Sequence, residues 1–523
     1  MRDFQRPGRS PVLATNGICA TSHPLAAKVA VDVLQAGGNA LDAALAGAVL
    51  LGICEPQMTG IGGDCFALIK LPGQEDVIGF NGSGRAPAAL SADALRARGL
   101  TEMPLHGVDA VTLPGAMDAF CRLNADHGRL SLAEVLAPAI HYAEEGVPVA
   151  PRVARDWAED ASVLQGDARR FYLLDGQAPR VGQIFRAPGQ AEVLRRVARA
   201  GRAGFYEGEV AEDLVASLRA LGGCHSLDDL ASTQGSYTAP IATTYRGVDL
   251  LEHPPNGQGA TALLMLKILS HFDLASLDPF GAPRAHLEAE AAKLAYDARN
   301  RFIADRAARL DHMLSDQTAA QLAALIDPRR AMDNPTRLSE AVHKDTVYIT
   351  VVDRDRMAVS LIYSIFWGFG SGLASARFGI NFQNRGAGFT LQPGHPNEAG
   401  GGKRPMHTII PGMLAEGGRV TMPFGVMGGA YQPCGHARFV TNLRDFGLDP
   451  QAAIDAPRCF TTVEGLRIER GYAPETVAAL ADLGHQVLEA DEPIGGAQAI
   501  HMHDTGVLEG ASDPRKDGCA LGY

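Results

Sequence analysis

The longest apolar stretch of the chain is ALDAALAGAVLLGIC, Ala40 to Cys54, with one charge at Asp42. A membrane span needs about 20 such residues, so this segment predicts a buried helix instead. Just upstream, HPLAAKVAVDVLQAGG (23–38) has helical spacing and stops at Gly37-Gly38-Asn39, a helix end followed at once by the next start. GDCFALIKL (63–71) and EDVIGFNGSG (75–84) predict strands that run into glycine turns. From 130 to 345 the pattern is mostly helical, as in HLEAEAAKLAYDARNRF (286–302), and HPPNGQG (253–259) is a turn by composition. After 345 the chain changes character. TVYITVVD, RMAVSLIYS and FGINFQN are strand-like, and the glycine-rich loops WGFGSG, NRGAG and MGG lie among them. Helical patterns return near 434–456 and 474–484. Crowded strands flanked by helices predict layers of helix packed on sheet.

Composition narrows the function classes. Hydrophobic residues make up 46% and charged residues 20% of 523, which suits a folded core and excludes extended disorder. The net charge of −12, with no basic run, argues against nucleic acid and anionic membranes as partners. The opening MRDFQRPGRSPVLATNG has no apolar core of a secretory signal. The eight cysteines form no CxxC pair and are expected to be reduced. Together these predict a cytoplasmic protein.

Several chemistries can be weighed from the residues. His501, His503 and Asp504 in HMHD place two imidazoles on one face of a strand, a possible metal set, but no HExxH or CxxC supports it, and neither metal nor cofactor is expected. GFGSG (368–372) has the glycines of a phosphate loop without its Lys-Ser/Thr. No GxSxG elbow offers a serine nucleophile. What remains is threonine. An N-terminal threonine carries its own base, an α-amine with a pKa of about 7.7–8.0. Thr346 opens a strand directly after Asp345, and cleavage before it would expose such an amine.

The surroundings of Thr346 carry a resemblance. AGGNALDAALA (36–46), TGIGGD (59–64), TLPGAMDAF (112–120), FYEGEVA (205–211), HPPNGQGA (253–260), the segment 345–372, GGKRP (401–405) and the ending GASDPRKDGCALGY (510–523) follow in order. This series resembles the γ-glutamyltranspeptidase family of N-terminal-nucleophile hydrolases over nearly the whole chain. The resemblance implies an α+β fold, a four-layer αββα sandwich built jointly by two subunits of one precursor. It implies a cut between Asp345 and Thr346, giving a large subunit, 1–345, and a small one, 346–523, which stay associated and could pair into a dimer of heterodimers. Thr346 is then the nucleophile, Ser364 orients it, and the backbone N–H groups of Gly428 and Gly429 form the oxyanion hole.

The resemblance also breaks in places that bear on substrate. The family's carboxylate-binding arginine falls at or near Ser83, with Arg85 two residues on. The serine pair after KRP is replaced by His407-Thr408. Where an acidic residue should hold a substrate ammonium stands Gly388, and a family glutamine is replaced by Arg385. A buried ammonium without a charge partner costs several kcal/mol, roughly, so an α-amino substrate is disfavoured. Arg85, Arg385 and His407 are expected to offer a positive environment for a carboxylate, unless the arginines serve in structural ion pairs. Oxamate amidohydrolase is the leading specific expectation. γ-Glutamyltransferase or glutathione hydrolase and a glutaryl (cephalosporin-type) acylase are alternatives, and an uncut binding relative is the non-enzymatic one.

Overall fold

The computed structural model describes residues 5, 8–306, 309–333 and 346–523. Two seven-stranded antiparallel sheets lie face to face, with helices on both outer sides. This is the αββα sandwich. One sheet runs, in order, Val12–Ala14, Leu508–Ser512, Gly496–Met502, Arg419–Met427, Gly412–Glu416, Val248–Glu252 and Ile241–Tyr245. The other runs Cys519–Gly522, Ile18–Thr21, Val347–Val352, Ala358–Ser364, Asp64–Lys70, Val77–Gly82 and Ser236–Thr238. Each sheet interleaves strands from both sides of position 345, so neither part of the chain could close its own core.

The apolar segment 40–54 is the buried helix Ala40–Cys54, and none of its fifteen residues is exposed. Its start is fixed by a reciprocal cap. The Asn39 side chain accepts from the Leu41 and Asp42 N–H groups, and Asp42 Oδ2 accepts from the Asn39 N–H at 3.0 Å. Asp42 stays buried because Arg129 N, Leu130 N and Asn124 Nδ2 also donate to it. The helix packs on Val347–Val352 from outside, between Pro24–Gln35 and Leu132–Glu145.

Between the sheets, Phe66, Tyr348, Ile362, Ile409 and Met427 form an apolar cluster. Tyr348 can cross this interface only because residue 425 is glycine: a Cβ there would stand 2.4 Å from the tyrosine ring. Tyr348 Oη and Ser360 Oγ hydrogen-bond at 2.7 Å, and Ser360 donates to the Phe424 carbonyl of the facing sheet at 3.1 Å.

Two sequence expectations need correction. FGINFQN (378–384) is not a strand. Phe378, Ile380 and Phe382 are buried, but the Phe382 backbone bonds Leu373 and Ser371 in a folded-back loop. The stretch expected to be mostly helical also contains five short strands among its described residues: Val147–Pro148, Ile184–Phe185 and three between Ser236 and Glu252. No helix among the described residues is long and apolar enough to cross a membrane.

Candidate active site

Three neighbouring strands end together. Val347 pairs with Tyr363 and Ser364 pairs with Asp64, so Thr346, Ser364 and Asp64 stand in a row at one end of the second sheet. Thr346 is 1% exposed. Its Oγ1 donates to Ser364 Oγ at 3.2 Å. The same serine oxygen accepts from the Phe366 N–H at 2.9 Å and from Arg385 Nη2 at 3.2 Å. Arg385 is fully buried, and its Nη1 donates to Thr408 Oγ1 at 2.8 Å. Phe366 adopts φ +85, a region that costs a bulky residue about 1–3 kcal/mol. The bond to Ser364 and the Arg385 guanidinium 4.0 Å from its ring centroid hold it there.

His407 supplies no positive charge, contrary to the sequence expectation. Its Nδ1 accepts from the Ile409 N–H at 3.3 Å, which leaves the proton on Nε2 to be donated to Asp64 Oδ2 at 3.0 Å. Burial, then the neighbouring Arg385 charge, lowers its pKa to about 3. Asp64 is in turn held by Gly84 N at 2.8 Å and Gln383 Nε2 at 2.9 Å, both on Oδ1. His407 is therefore a neutral strut between Asp64 and the loop that carries Thr408.

Gly428 and Gly429 form the turn between the strand Arg419–Met427 and the helix Gln432–Arg444. Their φ values are +124 and +53, and a Cβ on Gly428 would stand 2.9 Å from Gly495 Cα. Gln258 ties this turn to the other residues. Its Nε2 donates to the Gly429 carbonyl at 2.9 Å and to the Thr408 carbonyl at 2.7 Å, while Arg299 Nη1 donates to its Oε1 at 2.9 Å. A continuous series of bonds thus runs from Thr346 through Ser364, Arg385, Thr408 and Gln258 to Gly429.

The remaining predicted residues fall as follows. The Arg85 guanidinium is half exposed and reaches Asp305 Oδ2 at 3.3 Å and the Gly402 carbonyl at 2.9 Å, outside that series. Ser83 accepts at Oγ from Asn256 Nδ2, and its carbonyl accepts from the buried Arg404 Nε at 2.8 Å. Gly388 closes the turn Arg385–Gly388, and a Cβ there would meet the Met406 carbonyl at 2.7 Å. Asp345 lies outside the described residues. Asp504 pairs with Arg419 and is not one of the donors that converge with His501 and His503; that place falls to Glu509. Sequence reasoning missed Asp64, Gln258, Arg299 and Arg404. The first two sit inside TGIGGD and HPPNGQG, motifs whose glycine-rich composition predicts a turn but gives no role to their polar members.

The chain is similar to known proteins over nearly its whole length. The sequence model described as Gamma-glutamyltranspeptidase matches residues 26–523. A glutathione hydrolase-like YwrD proenzyme of Bacillus subtilis is 35% identical, over 98% of this chain and 99% of its own. An oxamate amidohydrolase proenzyme of Klebsiella pneumoniae is 35% identical, with 98% and 99% covered. The crystal structure of a cephalosporin acylase from Bacillus halodurans superposes with a TM-score of 0.92, at 39% identity, covering 100% of this chain and 99% of that one.

Proposed function

We propose that this chain, which belongs to the γ-glutamyltranspeptidase family and is a self-processing threonine amidohydrolase, removes a carboxylate-bearing acyl group from an amide through an ester on Thr346. The observation that carries this reading is Arg385. A buried guanidinium shares Ser364 with the threonine hydroxyl, which suits an acyl group that ends in a carboxylate. Gly388 supports the lack of an α-amino group on that acyl part, since its packing against Met406 leaves no room for an acidic side chain.

In the proposed mechanism, cleavage before Thr346 frees its α-amine, which takes the proton from Oγ1 as the hydroxyl attacks the amide carbon. Ser364 keeps that hydroxyl oriented. The N–H groups of Gly428 and Gly429 take the oxyanion, in a turn whose backbone is fixed by Gln258. The leaving amine takes the proton from the α-ammonium, and water then resolves the ester.

For the acyl group we favour a glutaryl-sized chain, supported by the full-length likeness to the cephalosporin acylase. The second reading is an oxamate-sized one. It is favoured by the short path from Thr346 to Arg385, two bonds of 3.2 Å each, and by the similar oxamate amidohydrolase. A panel of glutaryl, oxamate and γ-glutamyl amides tests both. The highest kcat/KM on the glutaryl amide supports the first reading and on oxamate the second. Preference for the γ-glutamyl amide would refute the argument from Gly388.

A further inference from the structure

The hairpin Gly496–Met502 to Leu508–Ser512 carries a cluster that the proposed chemistry does not use. His501 stands directly across from Glu509, with Ile500 opposite Gly510 and Met502 opposite Leu508. His503 lies two residues beyond His501 and therefore on the same face. His503 Nε2 is 2.7 Å from Glu509 Oε2, and His501 Nδ1 is 3.8 Å from that same oxygen. The two imidazole rings are 4.2 Å apart between centroids, and the three donor atoms lie within 4.8 Å of one another. The turn holding them is tied down: the His503 N–H donates to Val507 O at 2.9 Å, the Gly506 N–H donates to His503 O at 2.9 Å, and Arg356 bonds the Gly506 carbonyl.

We infer that His501, His503 and Glu509 form a surface site for a divalent transition-metal ion of the zinc type, with water completing its coordination. Zinc bonds imidazole nitrogen and carboxylate oxygen at about 2.0–2.2 Å, so two donors on one tetrahedral ion lie roughly 3.4 Å apart. The separations of 2.7 and 3.8 Å bracket that value, and small side-chain rotations bring all three onto one ion. Two nitrogens and one carboxylate are the ligand types zinc prefers over magnesium or calcium. Asp504, held by Arg419, adds a further negative group beside the histidines. The site is independent of the amidase reading: it lies at the far end of its strand from Gly496, which pairs with Met427 next to the Gly428 turn.

The test is calorimetric titration of zinc chloride into the full chain after chelator treatment. One saturable site per chain is expected, lost in the His501→Ala/His503→Ala double variant and weakened about tenfold or more in Glu509→Gln. The double variant should keep its melting temperature without metal, because both histidine side chains it truncates are about one-third exposed. Absence of saturable binding would overturn the inference. Undiminished binding in the folded double variant would do the same and place the ion elsewhere, for instance at the buried His286, Glu290 and His485.

Discussion

Thr346 and Ser364 face each other at the ends of adjacent strands, 3.2 Å apart through their hydroxyls. The register that pairs Val347 with Tyr363 sets this relation, so it is as rigid as the sheet. Replacing Ser364 with Ala should lower kcat about 10²-fold, the scale of a slightly misplaced nucleophile, and slow chain cleavage as well. Ser364→Thr, which keeps a hydroxyl, should recover most of both. Steady-state kinetics beside a denaturing gel check this, and an unchanged kcat in the alanine variant would remove Ser364 from the site.

Arg385 bonds Ser364 through one nitrogen and Thr408 through another, a two-pronged geometry that lysine cannot copy. For Arg385→Lys, kcat/KM on a carboxylate-bearing amide should fall about 10–100-fold, matching a charged hydrogen bond of about 1.5–3 kcal/mol. A neutral acyl amide of the same length should lose clearly less. Equal losses on both substrates would mean that Arg385 only supports the loop.

Gly388 offers a test in the opposite direction. Restoring an acid there, as Gly388→Asp, should not create γ-glutamyl activity, because its Cβ would stand 2.7 Å from the Met406 carbonyl. Instead the variant should lose about 1–3 kcal/mol of stability, as other overpacked positions do. Denaturant melts and γ-glutamyl turnover decide the matter together.

Acid should weaken the protein before its carboxylates titrate. Burial lowers His23 and His253 to about 4, and burial with the Arg385 charge lowers His407 to about 3, against an ordinary 6.5. Each takes up a proton more readily unfolded than folded, so the stability it contributes is complete above about 6.5 and is lost as pH falls toward its folded value. The slope approaches about 1.4 kcal/mol per pH unit for each. Glu55 opposes one of them, since burial raises it from 4.5 to about 7 and it gains a proton on folding. The melting temperature should therefore drop between pH 6 and pH 4, and a flat profile would contradict these assignments.

Much of this was legible in the chain because local pattern decided it. The helix Ala40–Cys54 begins at its Asn39 cap and is apolar throughout, and Val347–Val352 is a run of β-branched and aromatic residues. Ser236–Thr238 and its two successors were not legible, being three to five residues long with partly exposed side chains. In the site, Thr346, Ser364 and Arg385 could be named from motifs. The neutrality of His407 could not, because it depends on burial and on the nearby Arg385 charge, which only the fold supplies. Gln258 escaped for the same reason: it acts by joining the carbonyls of Thr408 and Gly429, which only the fold brings together.

The central claim is that Thr346 becomes an N-terminus and attacks the substrate. Intact-mass analysis of the purified protein, alone and after rapid quenching with a slow amide substrate, tests it most directly. The predicted result is a small chain of residues 346–523 that begins with threonine and gains the mass of one acyl group, with cleavage and adduct both lost in Thr346→Ala. A single 523-residue chain that still hydrolyses the substrate, or an acyl group mapped to another residue, would contradict it.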